Sequence, residues 1–346
     1  MESTAAVAPA APSAAMRLRE LAFSAASAAA VRAAVRLGLP DALGDNPVTA
    51  GELAAAVDAD PQALRRLMRA LTCQGVFAED GEGRFVHTAM SRMLREDTPR
   101  SMRYVSLWTT EPWTWDAWQH LDEAVRRGGH VFHELYGKEF FTYLHEDAPE
   151  SAEVFNKAMT HSSRQSAQDI AEMLDLRGVS LVADIGGGQG HVLAGLLERN
   201  PDLRGALLDL PGVVANADPR LRDGGALADR VELVPGDCRQ AIPVQADLYI
   251  IKNILEWDDR STRATLRNTV AAARPGARVL VIENLVDETA SMPFTAAMDL
   301  LLLLNVGGRK HTQDGLVALM EEAGLKVGDV RPVNPYLHAF DAVVPE

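Results

Sequence analysis

The first hundred residues show apolar positions at helical spacing, interrupted by polar turns. The alanine-rich stretch 16–37 predicts a long helix that ends at Gly38. A capping-box pattern beginning at Thr49 opens a short helix, and Asp60-Pro opens another. A polar turn over 79–84 then separates two short apolar segments. Helices followed by a small β-hairpin form the outline of a winged helix.

From about residue 176 the pattern changes to short apolar runs that alternate with helix-like segments. Apolar runs of this length are typical of buried parallel strands. An antiparallel pair over 326–332 and 337–344 ends the chain. This alternation predicts an α/β fold with a Rossmann-like, doubly wound sheet. The predicted strands are 180–185, 205–209, 231–234, 247–252 and 278–283, and the predicted helices are 191–199, 260–273 and 313–323.

Between these two parts the chain is helical in pattern and rich in aromatic side chains. Most of these side chains are expected to form a packed core, and some to form an apolar wall for a planar ligand. The predicted organisation is a disordered tail over 1–15, a winged-helix-like assembly domain over 16–104, a helical linker and pocket region over 105–170, and an α/β domain over 171–346.

Composition and charge limit the partners of the chain. It has 346 residues, 47% of them hydrophobic, with a net charge of −14 and an isoelectric point near 5.1. Nucleic acids and anionic membranes require clustered Lys and Arg, which such an acidic chain lacks. The helix after Asp60 offers only Arg65, Arg66 and Arg69. The winged-helix segment is therefore predicted to mediate assembly into a homodimer rather than DNA binding.

Cysteine usage and the termini indicate a cytoplasmic protein. Cys73 and Cys238 lie far apart in the sequence, as expected for a reducing compartment. No cluster of His, Cys and carboxylate residues has metal-ligand spacing, so we expect no metal. The first fifteen residues lack a signal-peptide pattern, and the apolar stretch 298–306 is too short to span a bilayer.

The stretch 181–190 carries the strongest chemical signal. An apolar run ends in Asp184, and four glycines within five residues and a helix-like segment follow. A strand that turns sharply into a helix presents backbone N–H groups to a ligand, and glycine allows the ligand to approach closely. About twenty residues further on, a second apolar run ends in Asp209, which suits a pair of ribose hydroxyls. The chain is therefore predicted to bind a nucleoside-bearing cofactor.

Three positions favour S-adenosyl-L-methionine over a dinucleotide. Asp184 precedes the glycines, where it would repel a pyrophosphate but could hold the ammonium group of methionine. Asp237 follows the third strand, near the expected position of the adenine. Lys252-Asn253 ends the fourth strand, beside the expected reaction centre. A glycine-rich turn alone would not separate these cofactors, because nicotinamide and flavin sites share it.

These motifs occur in the order and spacing of one family. The chain resembles the plant-type (caffeate-like) small-molecule O-methyltransferases and their bacterial relatives that modify polyketides and other antibiotics. The resemblance covers nearly the whole length and includes Phe155-Asn-Lys-Ala-Met159, Asp209-Leu-Pro211 and Gly307-Gly308. It implies a Rossmann-like catalytic domain, a dimerisation domain and a homodimer. It also implies S-adenosylmethionine as cofactor and S-adenosylhomocysteine as product.

The resemblance also implies the residues of the cofactor site. Asp209 would bind the ribose hydroxyls, and Asp237 with its neighbour would lie at the adenine. Taken alone, Asp237 could also cap a turn, and Lys252 could be a solvated strand end. The implied cofactor residues are Asp184, Gly186, Gly188, Asp209, Leu210, Gly236, Asp237, Cys238 and Lys252.

One part of the family pattern is missing. Relatives continue the fourth strand as Lys-Asn-x-x-His-Asp-Trp, in which the histidine deprotonates the acceptor hydroxyl. This chain reads Lys252-Asn-Ile-Leu-Glu-Trp257, which is one residue shorter. Counted forward from Lys252, Glu256 takes the position of the histidine, whereas counted back from Trp257, Leu255 takes it. Downstream, His311 stands where relatives have an arginine.

Several residues are therefore candidates for proton transfer. An unperturbed Glu has a pKa of about 4.3 and matches a phenol, at about 10, less well than His at about 6.5. Burial could raise the pKa of Glu256, or this residue could simply be an acid favoured ahead of a helix. His311 is the second candidate base, and Asp299 would orient a base. The expected acceptor-site residues are Trp113, Phe155, Met159, His161, Asn253 and Trp257.

Three functions are compatible with this pattern. The first is S-adenosylmethionine-dependent methyl transfer to a hydroxyl of an aromatic, polyketide-like secondary metabolite. Proton transfer by a base contributes about 10²–10⁴-fold, so a transferase without the histidine could still act, particularly on an acidic hydroxyl. The second is an enzyme that keeps the cofactor but catalyses hydroxylation, decarboxylation or cyclisation. The third, a winged-helix ligand sensor, is disfavoured by the acidic charge.

Overall fold

The computed structural model describes residues 13–98, 101–287 and 292–346. The chain divides into two compact units, one that ends at Glu111 and one that begins at Pro112. The candidate site lies in the second unit, because the glycine-rich turn and the strands around it belong to that unit.

The predicted boundaries differ from this division in two places. Residues 1–12 of the predicted tail lie outside the described part of the chain, whereas Ser13 already accepts a hydrogen bond from the N–H of Met16 as the cap of the first helix. The predicted linker 105–170 does not stand alone, because its residues up to Glu111 belong to the first unit and the rest to the second.

The first unit is helical apart from one antiparallel pair of strands, in the order that the sequence predicts. Its apolar core includes Phe77 and Phe85, one from each strand, and both side chains are fully buried. The elements are α1 Ala14–Ala22, α2 Ser24–Arg36, α3 Leu39–Ala42, α4 Ala50–Ala56, α5 Pro61–Cys73, β1 Phe77–Glu79, β2 Phe85–His87, α6 Ala89–Arg92 and α7 Arg103–Trp108.

The helix predicted over 16–37 is in fact two helices, which meet at Phe23. The hydroxyl of Ser24 donates a hydrogen bond to the carbonyl of Leu21 over 2.7 Å. A serine side chain that bonds to the preceding turn competes with the helical backbone, which accounts for the break. Gly38, with a φ of 71°, ends α2 as predicted.

The second unit begins with five helices that supply its aromatic side chains. Their residues contact one another edge to face, as in the pair Trp113–Phe140, whose ring centroids are 5.1 Å apart. The helices are α8 Pro112–Trp118, α9 Leu121–Arg127, α10 Phe132–Tyr136, α11 Phe140–Glu146 and α12 Pro149–Met173. The long helix α12 leads directly into the sheet, so it links the aromatic segment to the strands.

The second unit contains a seven-stranded sheet in the order β5-β4-β3-β6-β7-β9-β8. The first five strands of that order are parallel, and the last two pair antiparallel, as predicted. The strands are β3 Leu181–Ile185, β4 Arg204–Asp209, β5 Val231–Pro235, β6 Leu248–Lys252, β7 Arg278–Glu283, β8 Lys326–Asn334 and β9 Leu337–Val343.

Helices cover both faces of this sheet. Alternate residues of β3 enter different apolar clusters, since Ala183 and Ile185 pack on one face and Val182 on the other. Both faces are therefore buried, and the strands read as continuous apolar runs. The covering helices are α13 His191–Arg199, α14 Pro211–Val214, α15 Asp259–Ala272, α16 Met292–Val306 and α17 Gln313–Glu322.

Helix α16 was not predicted as a helix from the sequence. Its residues are apolar nearly all round, so they show no amphipathic period that would mark a helix face. Across the described ranges, no helix is both long enough and apolar enough to cross a membrane.

The order of the strands places the candidate site. The chain runs from β3 outward to β4 and β5 and then returns to β6 on the other side of β3. Ligands of such sheets bind beyond the carboxyl ends of the strands at this point of reversal. The residues that end β3, β4, β6 and β7 are Ile185, Asp209, Lys252 and Glu283, and they meet at this edge.

Candidate active site

The glycine-rich turn joins β3 to α13 through left-handed backbone conformations. Gly186, Gly188 and Gly190 have φ values of 63°, 62° and 79°. A Cβ at Gly190 would lie 2.6 Å from a methyl carbon of Leu221, whereas a Cβ at Gly188 would meet nothing within 4 Å. Gly190 is thus required by packing, and Gly188 leaves open space at the turn, as a ligand would need.

Asp184 lies directly beneath this turn. Its side chain is buried, and within the described part of the chain Oδ2 has no hydrogen-bond partner. Burial raises the pKa of Asp184 to about 7, while the positive charge of Lys252 opposes the shift. A buried carboxylate without a partner is costly unless a cation compensates it. The geometry therefore fits the predicted role of Asp184 in holding an ammonium group.

Asp209 closes the glycine-rich turn from the neighbouring strand. Its Oδ2 accepts the N–H of Gly188 over 2.8 Å, and its Oδ1 accepts the N–H of Leu210 over 2.7 Å. Burial raises the pKa of Asp209, and these two N–H groups lower it. The side chain of Leu210 is exposed beside it. The structure thus brings Asp209, the predicted ribose-binding residue, into contact with the glycine-rich turn.

Gly236, Asp237 and Cys238 follow β5 and lie against the end of β4. The N–H of Gly236 donates to the carbonyl of Asp209 over 2.9 Å. Asp237 is held by the guanidinium of Arg239, which lowers the pKa of Asp237 although burial opposes the shift. The thiol of Cys238 packs in the apolar core, where burial raises its pKa to about 11. The side chain of Cys238 is therefore a packing group.

Trp257 lies on the Asp237 side of the site. The guanidinium carbon of Arg239 sits 5.6 Å from the centre of the Trp257 ring. Sequence reasoning assigned Trp257 to the acceptor. In the structure the ring of Trp257 packs against the apolar core, and Arg239 lies over it. Arg239 was not predicted, although an arginine two residues after an expected adenine ligand is a detectable signal.

Lys252, at the end of β6, faces several carboxylates. Its ammonium donates to the hydroxyl of Ser163 on α12 over 3.5 Å. Burial lowers the pKa of Lys252, and the charges of Asp184, Glu283 and Glu256 oppose that shift. The side chain of Lys252 is half-buried and faces these carboxylates, which favours the cofactor-side role over a solvated strand end.

Asn253 has a left-handed backbone, with a φ of 53°. For a residue with a side chain this conformation is strained, and such strain is concentrated at functional sites. Its Oδ1 is buried, and in the described ranges no group bonds to it. The backbone N–H of Asn253 donates to the carbonyl of Ile282 over 3.0 Å. This hydrogen bond fixes the turn after β6 to β7. The side-chain oxygen of Asn253 stays available for a ligand.

The turn after β6 answers which residue stands at the position of the missing histidine. Leu255 is fully buried in the apolar core, and its N–H donates to Oε1 of Glu283 over 3.0 Å. Glu256 instead points its carboxylate at the ammonium of Lys310, in an ion pair whose side chains are 14% and 6% exposed. Of the two residues, Leu255 is therefore a core residue and Glu256 is the one with a paired charge.

Glu283, which ends β7, was missed by the sequence analysis. Its Oε1 accepts the N–H groups of Ile254 and Leu255 over 3.1 and 3.0 Å. Burial and the neighbouring Glu256 hold the pKa of Glu283 well above its usual range. An acid at the end of the fifth predicted strand, at the same edge as Lys252, would have been the signal for it.

Lys310 was also missed by the sequence analysis. Both its backbone N–H and its side-chain ammonium are bound. Its N–H donates to Oδ1 of Asp299 over 2.6 Å, and its ammonium meets Glu256. The next turn is fixed too, since the N–H of Arg309 donates to the carbonyl of Glu256 over 3.1 Å. A Cβ at Gly308 would collide with that same carbonyl. Asp299 was expected to orient a base. In the structure its carboxylate binds the backbone of Lys310 instead.

His311 was expected to be a candidate base for the acceptor. Its Nε2 lies 2.6 Å from the carbonyl of Leu255, to which it can only donate a proton. The ring is buried, and burial lowers the pKa of His311. The observed contact is therefore structural: it ties the 307–312 loop to the turn after β6.

The aromatic segment forms a wall next to the strands. Trp113 is buried, and its indole N–H has no partner in the part of the chain described. The ring of Phe155, on α12, packs edge to face on Phe140 at 6.1 Å. Met159 and His161 are half-buried on the same helix, and burial lowers the pKa of His161.

Helix α12 connects this wall to the cofactor side of the site. The hydroxyl of Thr160 donates to the side-chain carbonyl of Gln189 in the glycine-rich turn over 2.9 Å. Ser163 contacts Lys252, one turn further along. The predicted acceptor residues on α12 are thus brought to the predicted cofactor residues. Over the described ranges, no group of three or more His, Cys, Asp or Glu residues could hold a metal ion.

Two family models match the chain. The model of the O-methyltransferase domain matches residues 118–326, and the model of the O-methyltransferase dimerisation domain matches residues 19–97. The first of these models covers more than half of the chain. A mitomycin biosynthesis 6-O-methyltransferase from Streptomyces lavendulae is 40% identical over 302 residues, which are 87% of this chain and 86% of that protein.

Solved structures agree with these matches. The mitomycin 7-O-methyltransferase MmcR superposes with a TM-score of 0.86 at 38% identity and covers 96% of this chain and 98% of its own. The O-methyltransferase NcsB1 from neocarzinostatin biosynthesis, in complex with S-adenosylmethionine and 2-hydroxy-5-methyl naphthoic acid, superposes with a TM-score of 0.76 at 30% identity. That match covers 92% of this chain and 96% of the other.

Proposed function

The chain belongs to the family of S-adenosylmethionine-dependent O-methyltransferases, and we propose that its acceptor is a hydroxyl of a flat, polyketide-like aromatic metabolite. One observation carries the proposal. Helix α12 presents Phe155 and Met159 in the aromatic segment and, from its next residues, contacts Gln189 and Lys252 at the cofactor turn. An apolar wall and the cofactor site therefore share one rigid element.

The residues at the turn fit the cofactor. S-adenosylmethionine carries its methyl group on a positively charged sulfur and an ammonium group nearby, and S-adenosylhomocysteine remains after transfer. The buried, unpartnered oxygen of Asp184 suits a cation, and Gly188 and Gly236 leave space for a ligand. The residues proposed to line the cofactor are Asp184, Gly186, Gly188, Asp209, Leu210, Gly236, Asp237, the backbone of Cys238, and Lys252.

For the acceptor we propose that Trp113, Phe155 and Met159 form the apolar wall and that Asn253 and His161 border it. Pockets for small aromatic ligands combine mostly apolar walls with few polar groups that fix orientation. The buried indole N–H of Trp113 and Oδ1 of Asn253, which have no partner in the described ranges, suit that second role. The turn at Glu256, supported by Asp299 and His311, forms the remaining border.

We also propose that the protein is a homodimer assembled through its first unit. Leu18, Leu21 and Phe23 on and after α1 are 67%, 68% and 72% exposed, which is unusual for neighbouring large apolar side chains. The model of the dimerisation domain matches residues 19–97, which include Leu21 and Phe23. We expect Leu21→Arg to shift the protein toward a monomer in light scattering after size exclusion, while Leu37→Arg leaves the mass unchanged.

Methyl transfer is tested directly with methyl-labelled cofactor. The protein is incubated with labelled S-adenosylmethionine and a panel of naphthols and hydroxyquinones, and both label transfer and S-adenosylhomocysteine release are measured. We expect label in the acceptor in proportion to S-adenosylhomocysteine. A product that forms without label would favour the alternative, in which the cofactor is retained for hydroxylation, decarboxylation or cyclisation.

A further inference from the structure

Two lysines and two glutamates come together on the acceptor side of the site. Lys310 and Lys252 both face Glu256 and Glu283, and all four side chains lie inside the protein. Burying a lysine–glutamate pair costs more solvation free energy than their attraction commonly returns. The pair between Glu256 and Lys310 is therefore poorly explained as a stabilising element alone.

Three ionisable side chains near this turn already make polar contacts. The carboxylate of Glu256 is bound to the ammonium of Lys310. Oε1 of Glu283 accepts two backbone N–H groups, and burial keeps this carboxyl protonated over a wider pH range. Nε2 of His311 donates its proton to the carbonyl of Leu255. Glu256 and Glu283 are thus poorly prepared to take a proton from an acceptor hydroxyl. His311 keeps Nδ1 as an acceptor, but burial lowers its pKa and so disfavours its protonated form.

Lys310 remains a cation in this setting. Although burial opposes its charge, Glu256 and Glu283 raise the pKa of Lys310, and Asp299 adds to this effect. Its backbone is fixed by the bond from its N–H to Asp299, so the ammonium has a defined position beside Glu256. An ammonium group has three donors, and the contact with one carboxylate oxygen uses one of them.

We propose that Lys310 is a specificity-determining cation of the acceptor site, and that the Glu256–Lys310 pair selects acceptors whose hydroxyl is already ionised. This inference rests on the proposed function of methyl transfer to oxygen. The acceptor class is an acidic hydroxyl, such as one conjugated to a carbonyl group, rather than a simple phenol.

The chemistry balances without a base. The anionic oxygen attacks the methyl carbon, an oxygen–carbon bond forms, and the carbon–sulfur bond breaks with its electron pair left on sulfur. Both the methylated oxygen and the sulfur are then neutral, so no proton has to be moved. Lys310 would stabilise the oxyanion in the bound state and lose that interaction as the charge disappears.

Two probes of the same bicyclic size separate this inference from a protein base. 2-Hydroxy-1,4-naphthoquinone has an acidic hydroxyl conjugated to a carbonyl, and 2-naphthol is a simple phenol. Methyl transfer to each is measured against pH, and binding of each to the S-adenosylhomocysteine complex is measured by calorimetry. We expect the midpoint of the pH profile to follow the ionisation of each probe. A midpoint that is the same for both probes, and is lost in Glu283→Gln or His161→Gln, would overturn the proposal.

Variants of the pair provide the second readout. A charge-assisted hydrogen bond contributes about 1.5–3 kcal/mol, so Lys310→Met should weaken binding of the ionised quinone about 10- to 100-fold, while Lys310→Arg retains it. The double variant Glu256→Gln/Lys310→Met should bind the quinone as weakly as Lys310→Met does. It controls for the unpaired charge of Glu256 that the single variant leaves buried. Arg126→Met, which removes an exposed cation paired with Asp122 on α9, should bind the probe as the unmodified protein does.

The outcomes also separate this inference from the proposed function. If the ionised quinone binds through Lys310 but no label is transferred to either probe, the proposed function is wrong and the cation site remains. If label is transferred equally well to 2-naphthol at a pH where it is protonated, and Lys310→Met has no effect, the inference is wrong and methyl transfer remains.

Discussion

The cofactor side and the acceptor side of the site handle negative charge in different ways. On the cofactor side, at the turn after β3 and the ends of β4 and β5, Asp209 is bound by backbone N–H groups and Asp184 keeps an unpaired oxygen. On the acceptor side, at the turn after β6 and the 307–312 loop, Glu256 is bound by the side chain of Lys310.

The two sides differ in the group that binds the carboxylate, which is the backbone on the cofactor side and a side chain on the acceptor side. Backbone groups are fixed by the glycine-rich turn and the sheet, so the cofactor side depends on the fold itself. Side-chain partners can be exchanged while the fold stays the same, so the acceptor side is free to change its chemistry. The absence of the family histidine beside an intact glycine turn is consistent with this division.

The largest expected effect concerns the ion pair of the acceptor side. Removing one partner of a buried pair leaves the other charge uncompensated and costs about 3–5 kcal/mol. We expect Glu256→Gln to lower the free energy of unfolding by about 3 kcal/mol in urea, and Glu256→Gln/Lys310→Met to recover most of that loss. Asp237→Asn is the matched control, because its partner Arg239 is 44% exposed and such pairs contribute less than about 1 kcal/mol. Equal losses in both single variants would contradict the comparison.

The next effect concerns Asp184 on the cofactor side. We expect Asp184→Asn to weaken S-adenosylmethionine binding about 100-fold in calorimetry, since loss of a buried partner of a cation costs a few kcal/mol. The unliganded protein should be as stable as before or more stable, because the substitution removes a buried carboxylate whose Oδ2 has no partner among the described residues. Asp175→Asn, at an exposed acid paired with Arg177, serves as control. A variant that loses stability but binds the cofactor normally would show that Asp184 is structural.

Two glycines of the same turn separate packing from ligand space. Gly190→Ala should cost about 2–4 kcal/mol of stability, because its Cβ would meet Leu221 and the backbone is left-handed. Gly188→Ala should cost only about 1 kcal/mol, from backbone strain alone. Chemical unfolding of the unliganded variants measures both. If the two substitutions cost the same, the space beside Gly188 is not open in solution.

The smallest expected effect per step of the measurement is the pH dependence of stability, at about 1 kcal/mol per pH unit for each group. Burial raises the pKa of Asp184 to about 7, and it raises that of Glu283 as well. A carboxyl whose pKa is higher in the folded than in the unfolded protein stabilises the fold while it is protonated. Stability should therefore fall as the pH rises from about 4 through 7, by about 1 kcal/mol in the last unit.

Variants assign the two parts of that pH dependence. Asp184→Asn should remove one share of the slope below about pH 7, and Glu283→Gln should remove the other share, which extends above pH 7. Unfolding midpoints measured from pH 5 to pH 9 give the comparison. A curve that is unchanged in both variants would mean that other groups cause the slope.

Much of the fold was predictable because it depends on local patterns. The five parallel strands and the helices after β3 and β6 lie within about two residues of their predicted positions. Apolar runs, caps and glycines act over a few neighbouring residues, so they are visible in the sequence. The break at Phe23 and helix α16 were missed, because a single serine contact and a helix without an amphipathic face leave no periodic signal.

The sequence by itself determined the fold class, the glycine turn with Asp184 and Asp209, and the absence of the family histidine. Only the tertiary structure decided that Leu255 is a core residue, that Glu256 meets Lys310, and that His311 supports the turn. Glu256 and Lys310 are 54 residues apart, and neither changes the local pattern around it. Partners so distant in the chain are selected by the packing of the 307–312 loop against the turn after β6, which no local rule contains.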